Sequence, residues 1–267
     1  MKILVLIKQV PEMEKVKFDV DKGKIDRKSA GVEVNPFDLN ALEAAVNIKE
    51  KLGAEITAVS MGPERADQAL KEAVARGADE AYLLTDKSFA GADTIATSAT
   101  LAAAAKKLGD FDLIFAGEMS VDGDTAQVGP QTAEFLDINH AAYVNEIMEI
   151  SEKEIKIKMS LWKSEYTKTF AYPLLITVTK DINSPRLPSF KDKMKARKKE
   201  INKLDFQSIS DHLPIERVGF EGSPTWVEKI IVPEKIERKG IIYNKEEKEK
   251  AFKDLKEVLK DKNLMEA

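Results

Sequence analysis

The sequence predicts a doubly wound α/β fold: a mostly parallel sheet with helices on both faces, added antiparallel strands and a C-terminal arm. Three observations carry this. Apolar runs of strand length recur at Ile3–Ile7, Ile56–Met61, Ala81–Leu84, Leu113–Ala116 and Leu174–Val178. Helical patterns at Leu39–Leu52, Arg65–Arg76, Asp93–Leu108 and Ala126–Leu136 alternate with them, the order that parallel strands joined by crossover helices produce. Gly53, Gly77 and Gly109 fall where three of those helices should stop, each just ahead of the next strand, as left-handed C-caps do.

Taken in order, the opening run is closed by Lys8, and it is too short for a signal peptide or a membrane span. Asn35-Pro-Phe-Asp38 precedes the first helix, where Pro36 fixes the loop and Asn35 or Asp38 is placed to cap. Gly91-Ala-Asp-Thr94 opens the alanine-rich third helix. After about residue 140 the pattern changes. Ile155, Ile157, Met159 and Leu161 alternate with Lys156, Lys158 and Ser160, so Tyr143–Ile150, Ile155–Trp162 and Tyr166–Ala171 read as antiparallel strands. Asn183-Ser-Pro-Arg-Leu-Pro188 is a proline-punctuated loop, and 191–203 is strongly basic. The chain therefore divides into an α/β domain over 1–200, including a loop and basic segment at 183–199, and an extension over 201–267. That extension is a polar stretch followed by a helical pattern at Lys245–Leu259, which buries little by itself.

Composition narrows the chemistry. At 267 residues and a formal net charge of −4, the chain has no nucleic-acid footprint. With no cysteine it forms no disulfide, thiolate metal site or cysteine nucleophile. His140 and His212, its two histidines, lie in no metal or triad spacing, and there is no Gly-x-Gly-x-x-Gly or Walker sequence. A soluble cytoplasmic binder of a nucleotide is expected, rather than a hydrolase.

The most informative segment is Asp122-Gly-Asp-Thr-Ala-Gln-Val-Gly-Pro130. It follows the buried run ending at Gly117 and precedes Gln131-Thr-Ala-Glu-Phe-Leu136, which continues as a helix. Such a loop presents unpaired N–H groups and the positive end of the helix dipole to a phosphate. Gly123 permits close approach, and Thr125 either caps the helix or donates to a phosphate oxygen. Asp122 and Asp124 oppose this, since they repel phosphates unless turned away, and an N-capped helix without ligand is the alternative. Open α/β sheets bind at the carboxyl ends of their strands. There this loop, Asn35–Asp38, and the helix start at Asp93 and Thr94 with Thr97 should converge; each of the last two also reads as an ordinary cap. Met61, at the tip of the second strand, is core filling on composition alone.

Together these segments resemble the β subunit of electron-transfer flavoproteins. The matching stretches are Lys2-Ile-Leu-Val-Leu-Ile-Lys-Gln-Val-Pro11, Val34–Asp38 with Ala41–Ala45, Ala58-Val-Ser-Met-Gly-Pro63, Gly77-Ala-Asp79, Asp122–Pro130, and Pro185-Arg186 into Met194–Lys199; they cover about the first two hundred residues. The resemblance implies a Rossmann-like, adenine-nucleotide-binding domain in a heterodimer with an α subunit that carries the electron-transferring FAD. It implies nucleotide contact at Leu6, Asn35, Pro36, Phe37, Asp38 and Met61, and along the loop at Asp122, Gly123, Asp124, Thr125, Ala126, Gln127, Val128, Gly129, Pro130, Gln131 and Thr132, several through backbone groups. It assigns docking of a partner dehydrogenase, of acyl-CoA or similar type, to Pro185, Arg186, Leu187, Pro188, Phe190 and Lys191. Ordinary members hold AMP at the β site. Electron-bifurcating members hold a second FAD there, which takes a hydride from NADH and splits the electrons between the α-subunit FAD and ferredoxin or flavodoxin. Leu83-Leu-Thr-Asp86 followed by Gly91-Ala-Asp-Thr-Ile-Ala-Thr-Ser98 is similar to the bifurcating group, which implies FAD contact at Asp93, Thr94 and Thr97. One departure is Glu118-Met-Ser-Val121, where that group usually carries Arg-Gln-Ala-Ile. The rivals are a β subunit with structural AMP and a stand-alone nucleotide-binding domain; the docking arm speaks against the second.

Overall fold

In β1 (Lys2–Leu6), alternate side chains serve two different cores. Ile3 and Val5, with Ile7 just beyond, pack with Ala41, Ala45 and Leu70 on one side; Leu4 and Leu6 pack with Ala99, Ala103 and Ala133 on the other. A strand buried on both faces requires helices on both faces, which is the expected doubly wound arrangement. The computed structural model of the chain describes residues 1–12, 15, 17–19, 24–26, 31–228, 240–262 and 264.

The elements follow in order. After β1 come β2 (Gln9–Pro11), β3 (Lys17–Asp19), β4 (Lys24–Asp26), β5 (Val32–Val34), α1 (Pro36–Leu52), β6 (Glu55–Met61), α2 (Asp67–Arg76), β7 (Glu80–Leu84), α3 (Thr94–Leu108), β8 (Leu113–Gly117) and α4 (Val128–Leu136). Then come β9 (Asn139–Ile150), β10 (Glu154–Leu161), β11 (Ser164–Ala171), β12 (Leu174–Val178), α5 (Phe190–Lys198), β13 (Asn202–Leu204), α6 (Phe206–Ile209) and α7 (Lys248–Asp261). One nine-stranded sheet has the order β11-β10-β9-β12-β8-β1-β6-β7-β13, and all its pairs from β9–β12 through β7–β13 are parallel. The chain runs outward from β1 through β6 and β7, then returns to β1's other side as β8. The switch point therefore lies between β1 and β8, and there the connections leave on opposite faces and open a crevice.

Several expectations needed correction. All three glycines after helices have positive φ, but Gly53 alone is in the left-handed helical region; Gly109, at φ 117° and ψ −166°, is a reversal rather than a left-handed cap. The fourth helix starts at Val128, not Ala126, because Ala126 itself has φ 53° and cannot be a helical residue. The first of the expected antiparallel segments begins at Asn139, not Tyr143. Its first half pairs parallel with β12 and its second half antiparallel with β10, and Tyr143, at φ 57°, sits at the changeover. The basic segment is not merely a solvated run: α5 buries Ala196, and β13 adds a strand beside β7. By its internal contacts the chain forms two compact units, Met1–Ile230 and Ile231–Ala267. Within the second unit, α7 has an apolar stripe at Phe252, Leu255 and Val258 and buries none of its residues. Of the polar stretch expected ahead of that helix, 229–239 lie outside the described residues, but 201–228 do not stay unburied as expected: Ile209, Leu213 and Val218 enter the core beside α3.

Candidate functional site

At the carboxyl ends of β1 and β8, two side chains from the start of α1 hold the crevice together. Asn35 is fully buried and does not cap the helix: its Nδ2 donates to the Met119 carbonyl (2.9 Å), and its Oδ1 accepts from the Val121 N–H (3.2 Å). Asp38 accepts the Lys8 N–H (2.8 Å) on one oxygen and the Gly117 N–H (3.1 Å) on the other. These are the backbone donors that β1 and β8 cannot give each other once they diverge, so burying them requires such a partner. Burial pushes the Asp38 carboxyl up to about 7, against the opposing pull of the Lys8 N–H, Asn35, the Gly117 N–H and the Lys8 charge. Asn35 and Asp38, read above as caps, are instead the clasp of the switch point.

The loop after β8 turns on the Ser120 carbonyl, which accepts from the Gly123 and Asp124 N–H groups (3.1 and 2.8 Å). Asp124 and Ala126 both hold left-handed φ, of 50° and 53°, a strained state for residues with a side chain. Gly123, Asp124 and Thr125 are exposed. Thr125 does not cap α4; Gln127 occupies the N-cap position, and no side chain closes the helix end. The N–H groups of the first turn thus lie beside an exposed loop, with the dipole behind them.

The repulsion expected from Asp122 is resolved by Lys8. Its Nζ lies 2.6 Å from Asp122 Oδ1 and 3.1 Å from Ser120 Oγ. Burial alone raises the Asp122 carboxyl, but Lys8 and Ser120 outweigh it and hold the group below its usual range. Sequence reasoning saw Lys8 only as the end of an apolar run. The available signal was a lysine at the carboxyl end of the central strand, where open α/β sheets bind.

Other expected residues distribute unevenly. Leu6 is buried at the tip of β1, and Met61, half-buried, packs on the same side. Phe37 is buried, Pro36 exposed at the first turn of α1. Thr94 reaches the loop, donating through Oγ1 to Gln127 Oε1 (3.0 Å). Thr97 is half-buried one turn on. Pro130, Gln131 and Thr132 lie inside α4, with Thr132 buried and bonded to the Val128 carbonyl (2.7 Å). Asp93 caps α3, accepting from Ile95 and Ala96 (2.9 and 3.0 Å). At the end of β8, burial and then the Asp181 charge raise the Glu118 carboxyl, against Lys180.

The residues expected to dock a dehydrogenase lie apart from these, on the flank of α1. Arg186 binds Glu43 through Nε (2.9 Å) and Nη2 (3.0 Å), Glu50 through Nη1 (2.5 Å), and Asn47 (3.1 Å). Its backbone N–H reaches Glu43 too (3.0 Å). Only a planar fork makes this set of contacts. Pinned there, the loop leaves Leu187 86% and Phe190 80% exposed, with the lysines of α5 beyond them. Arg186→Lys is expected to cost about 2 kcal/mol by losing the fork against the buried Glu43, with faster proteolysis at 184–190; an unchanged urea midpoint and cleavage rate would contradict this.

Among the described residues, no group of His, Asp and Glu could hold a metal ion, and no helix is long and apolar enough to cross a membrane. The family model for the electron transfer flavoprotein domain matches residues 22–208. The electron transfer flavoprotein subunit beta of Thermoanaerobacterium thermosaccharolyticum is 42% identical over 99% of this chain and 100% of that protein. The caffeyl-CoA reductase-Etf complex subunit CarD of Acetobacterium woodii is 42% identical over 87% of this chain and 88% of its own length. Protein FixA of Azotobacter vinelandii is 36% identical over 86% and 83%.

Proposed function

Because the chain belongs to the electron-transfer flavoprotein β-subunit family, we propose that it is the β subunit of an αβ electron carrier and binds FAD at the β1–β8 crevice. The observation that carries this is the uncapped start of α4 behind the exposed loop at 122–127, with the Lys8 ammonium beside it. Backbone N–H groups, one lysine and the Thr125 hydroxyl make a donor set that fits a pyrophosphate.

A bound flavin would supply the redox chemistry, hydride acceptance from NADH and single-electron transfer toward the α-subunit FAD and ferredoxin or flavodoxin, held by the first turn of α4, Lys8 and Thr125. The chain's own residues bind and orient. The first turn of α4 meets the phosphates, Asn35 and Asp38 hold the crevice open at fixed width, and Lys8 neutralises Asp122 so that the loop tolerates an anion. Thr94, bonded to Gln127 of the loop, and Thr97 one turn on would hold the remainder of the nucleotide. Glu118, whose carboxyl burial pushes toward the neutral form, stands at the end of β8 where the similar group carries an arginine, so a fixed positive charge is missing there. The bifurcating reading draws support from CarD, named as part of a caffeyl-CoA reductase–Etf complex, which also favours a dehydrogenase of acyl-CoA type at Leu187 and Phe190. The second unit, with the bare apolar stripe of α7, would pack on the α subunit.

The test is the nucleotide content of the heterodimer, released by denaturation and quantified chromatographically. Two FAD and no AMP per heterodimer are expected. One FAD with one AMP would leave a β subunit with a structural nucleotide and a one-flavin carrier.

A further inference from the structure

Asp93 has no lone pair left for a ligand. Its Oδ1 accepts from Ile95 and Ala96, and its Oδ2 accepts from the Thr225 N–H (3.1 Å) and the Thr225 hydroxyl (2.7 Å). Its backbone N–H donates to Ser223 Oγ (2.8 Å), and that hydroxyl donates to the Gly219 carbonyl (2.7 Å). An N-cap needs one carboxylate oxygen. The other ties down a segment more than a hundred residues away in sequence. A second set of contacts holds the same segment. The Phe220 N–H donates to the Ala90 carbonyl (2.9 Å), and a Cβ at Gly219 would stand 1.9 Å from the Ser88 carbonyl oxygen, so the two backbones are in direct contact.

The segment is thus fastened to the start of α3, and Thr94 there is bonded to Gln127 of the candidate phosphate loop. Trp226 follows Thr225 directly, about 3.8 Å on along the backbone, and is 71% exposed. An indole left in water one residue beyond that anchored backbone is prepared to stack at little further cost in conformational entropy.

We propose that Asp93 is a positioning residue rather than a nucleotide contact: its latch on Ser223 and Thr225 sets Trp226 as a stacking wall for the ring system of the nucleotide bound at the β site. This rests on the nucleotide reading above, and it specifies how the cleft grips a planar ring.

The experiment uses the purified αβ complex and follows release of the β-bound nucleotide into a large excess of buffer by rapid gel filtration. Trp226→Ala is expected to speed release about tenfold, within the range of aromatic stacking on a base, whereas Trp226→Phe stays within twofold of wild type. Thr225→Val, which removes the hydroxyl but keeps the shape, speeds release in the same direction; Thr225→Ser does not. In the Trp226→Ala background Thr225→Val adds nothing more, because the latch acts through the ring. Unchanged release in Trp226→Ala overturns the proposal, as does a Phe variant that falls as far as Ala. A wild-type complex whose β chain holds no nucleotide overturns the nucleotide reading and this inference together.

Discussion

Asp38→Asn is expected to lower the urea midpoint most at pH 5 and progressively less as the pH rises to 8. The Asp38 carboxyl is neutral in the fold up to about pH 7 and in the unfolded chain only up to 3.8. The fold therefore binds the proton more tightly. Stability from this group is full below pH 4 and is lost as the pH rises through about 7, on the order of 4 kcal/mol across the whole span. In neutral form the carboxyl still presents an oxygen to each of the Lys8 and Gly117 N–H groups, at 2.8 and 3.1 Å. Asparagine offers one acceptor and turns an NH2 toward the other donor. A buried N–H left without a partner costs about 1–3 kcal/mol. At pH 8 the wild type carries a buried charge that the variant lacks, so the difference narrows. A difference that stays constant from pH 5 to pH 8 would show that Asp38 is not the titrating clasp.

Gly129→Ala should destabilise the chain by about 2 kcal/mol and empty the nucleotide site. On propensity alone the change favours the helix by about 1 kcal/mol. Packing reverses the sign. A Cβ at Gly129 would lie 2.3 Å from Cγ2 of Thr177, a buried β-branched side chain on β12 with little freedom to move. Overpacking of this kind costs about 1–3 kcal/mol. The relief available is to push α4 off the sheet, and this moves the first-turn N–H groups away from the loop. The expected outcome is a lower melting temperature and loss of one nucleotide per αβ complex, with the other FAD retained. Full nucleotide content in the variant would mean that the start of α4 does not hold the phosphates.

Much of this was legible in the chain itself. Strand-length apolar runs alternating with 3.6-period patterns fixed the doubly wound sheet, because burial on both faces of β1, β6 and β8 can be met only by helices on both sides. The loop at 122–130 was legible for the same kind of reason: a strand, a small polar stretch and a helix, in that order, put free N–H groups at a helix start. The helix boundary there was misplaced by two residues, since nothing local announces that Ala126 takes a left-handed φ; the turn on Ser120 and the pairing of Lys8 with Asp122 impose it.

What the sequence by itself determined, then, was the architecture and the location of the cleft, both consequences of periodicity and of backbone valence. Tertiary structure alone decided what the polar side chains do. Asn35 and Asp38 look like caps beside α1 and become the clasp between β1 and β8, because divergence at the switch point strands two backbone donors far from them in sequence. Lys8 became the counter-charge of Asp122 across 114 residues, and Asp93 became a latch for a segment 132 residues away. Capping obeys neighbours in sequence, which a reader can see. The pairing of a buried polar atom obeys neighbours in space, and these exist only once the chain has closed on itself.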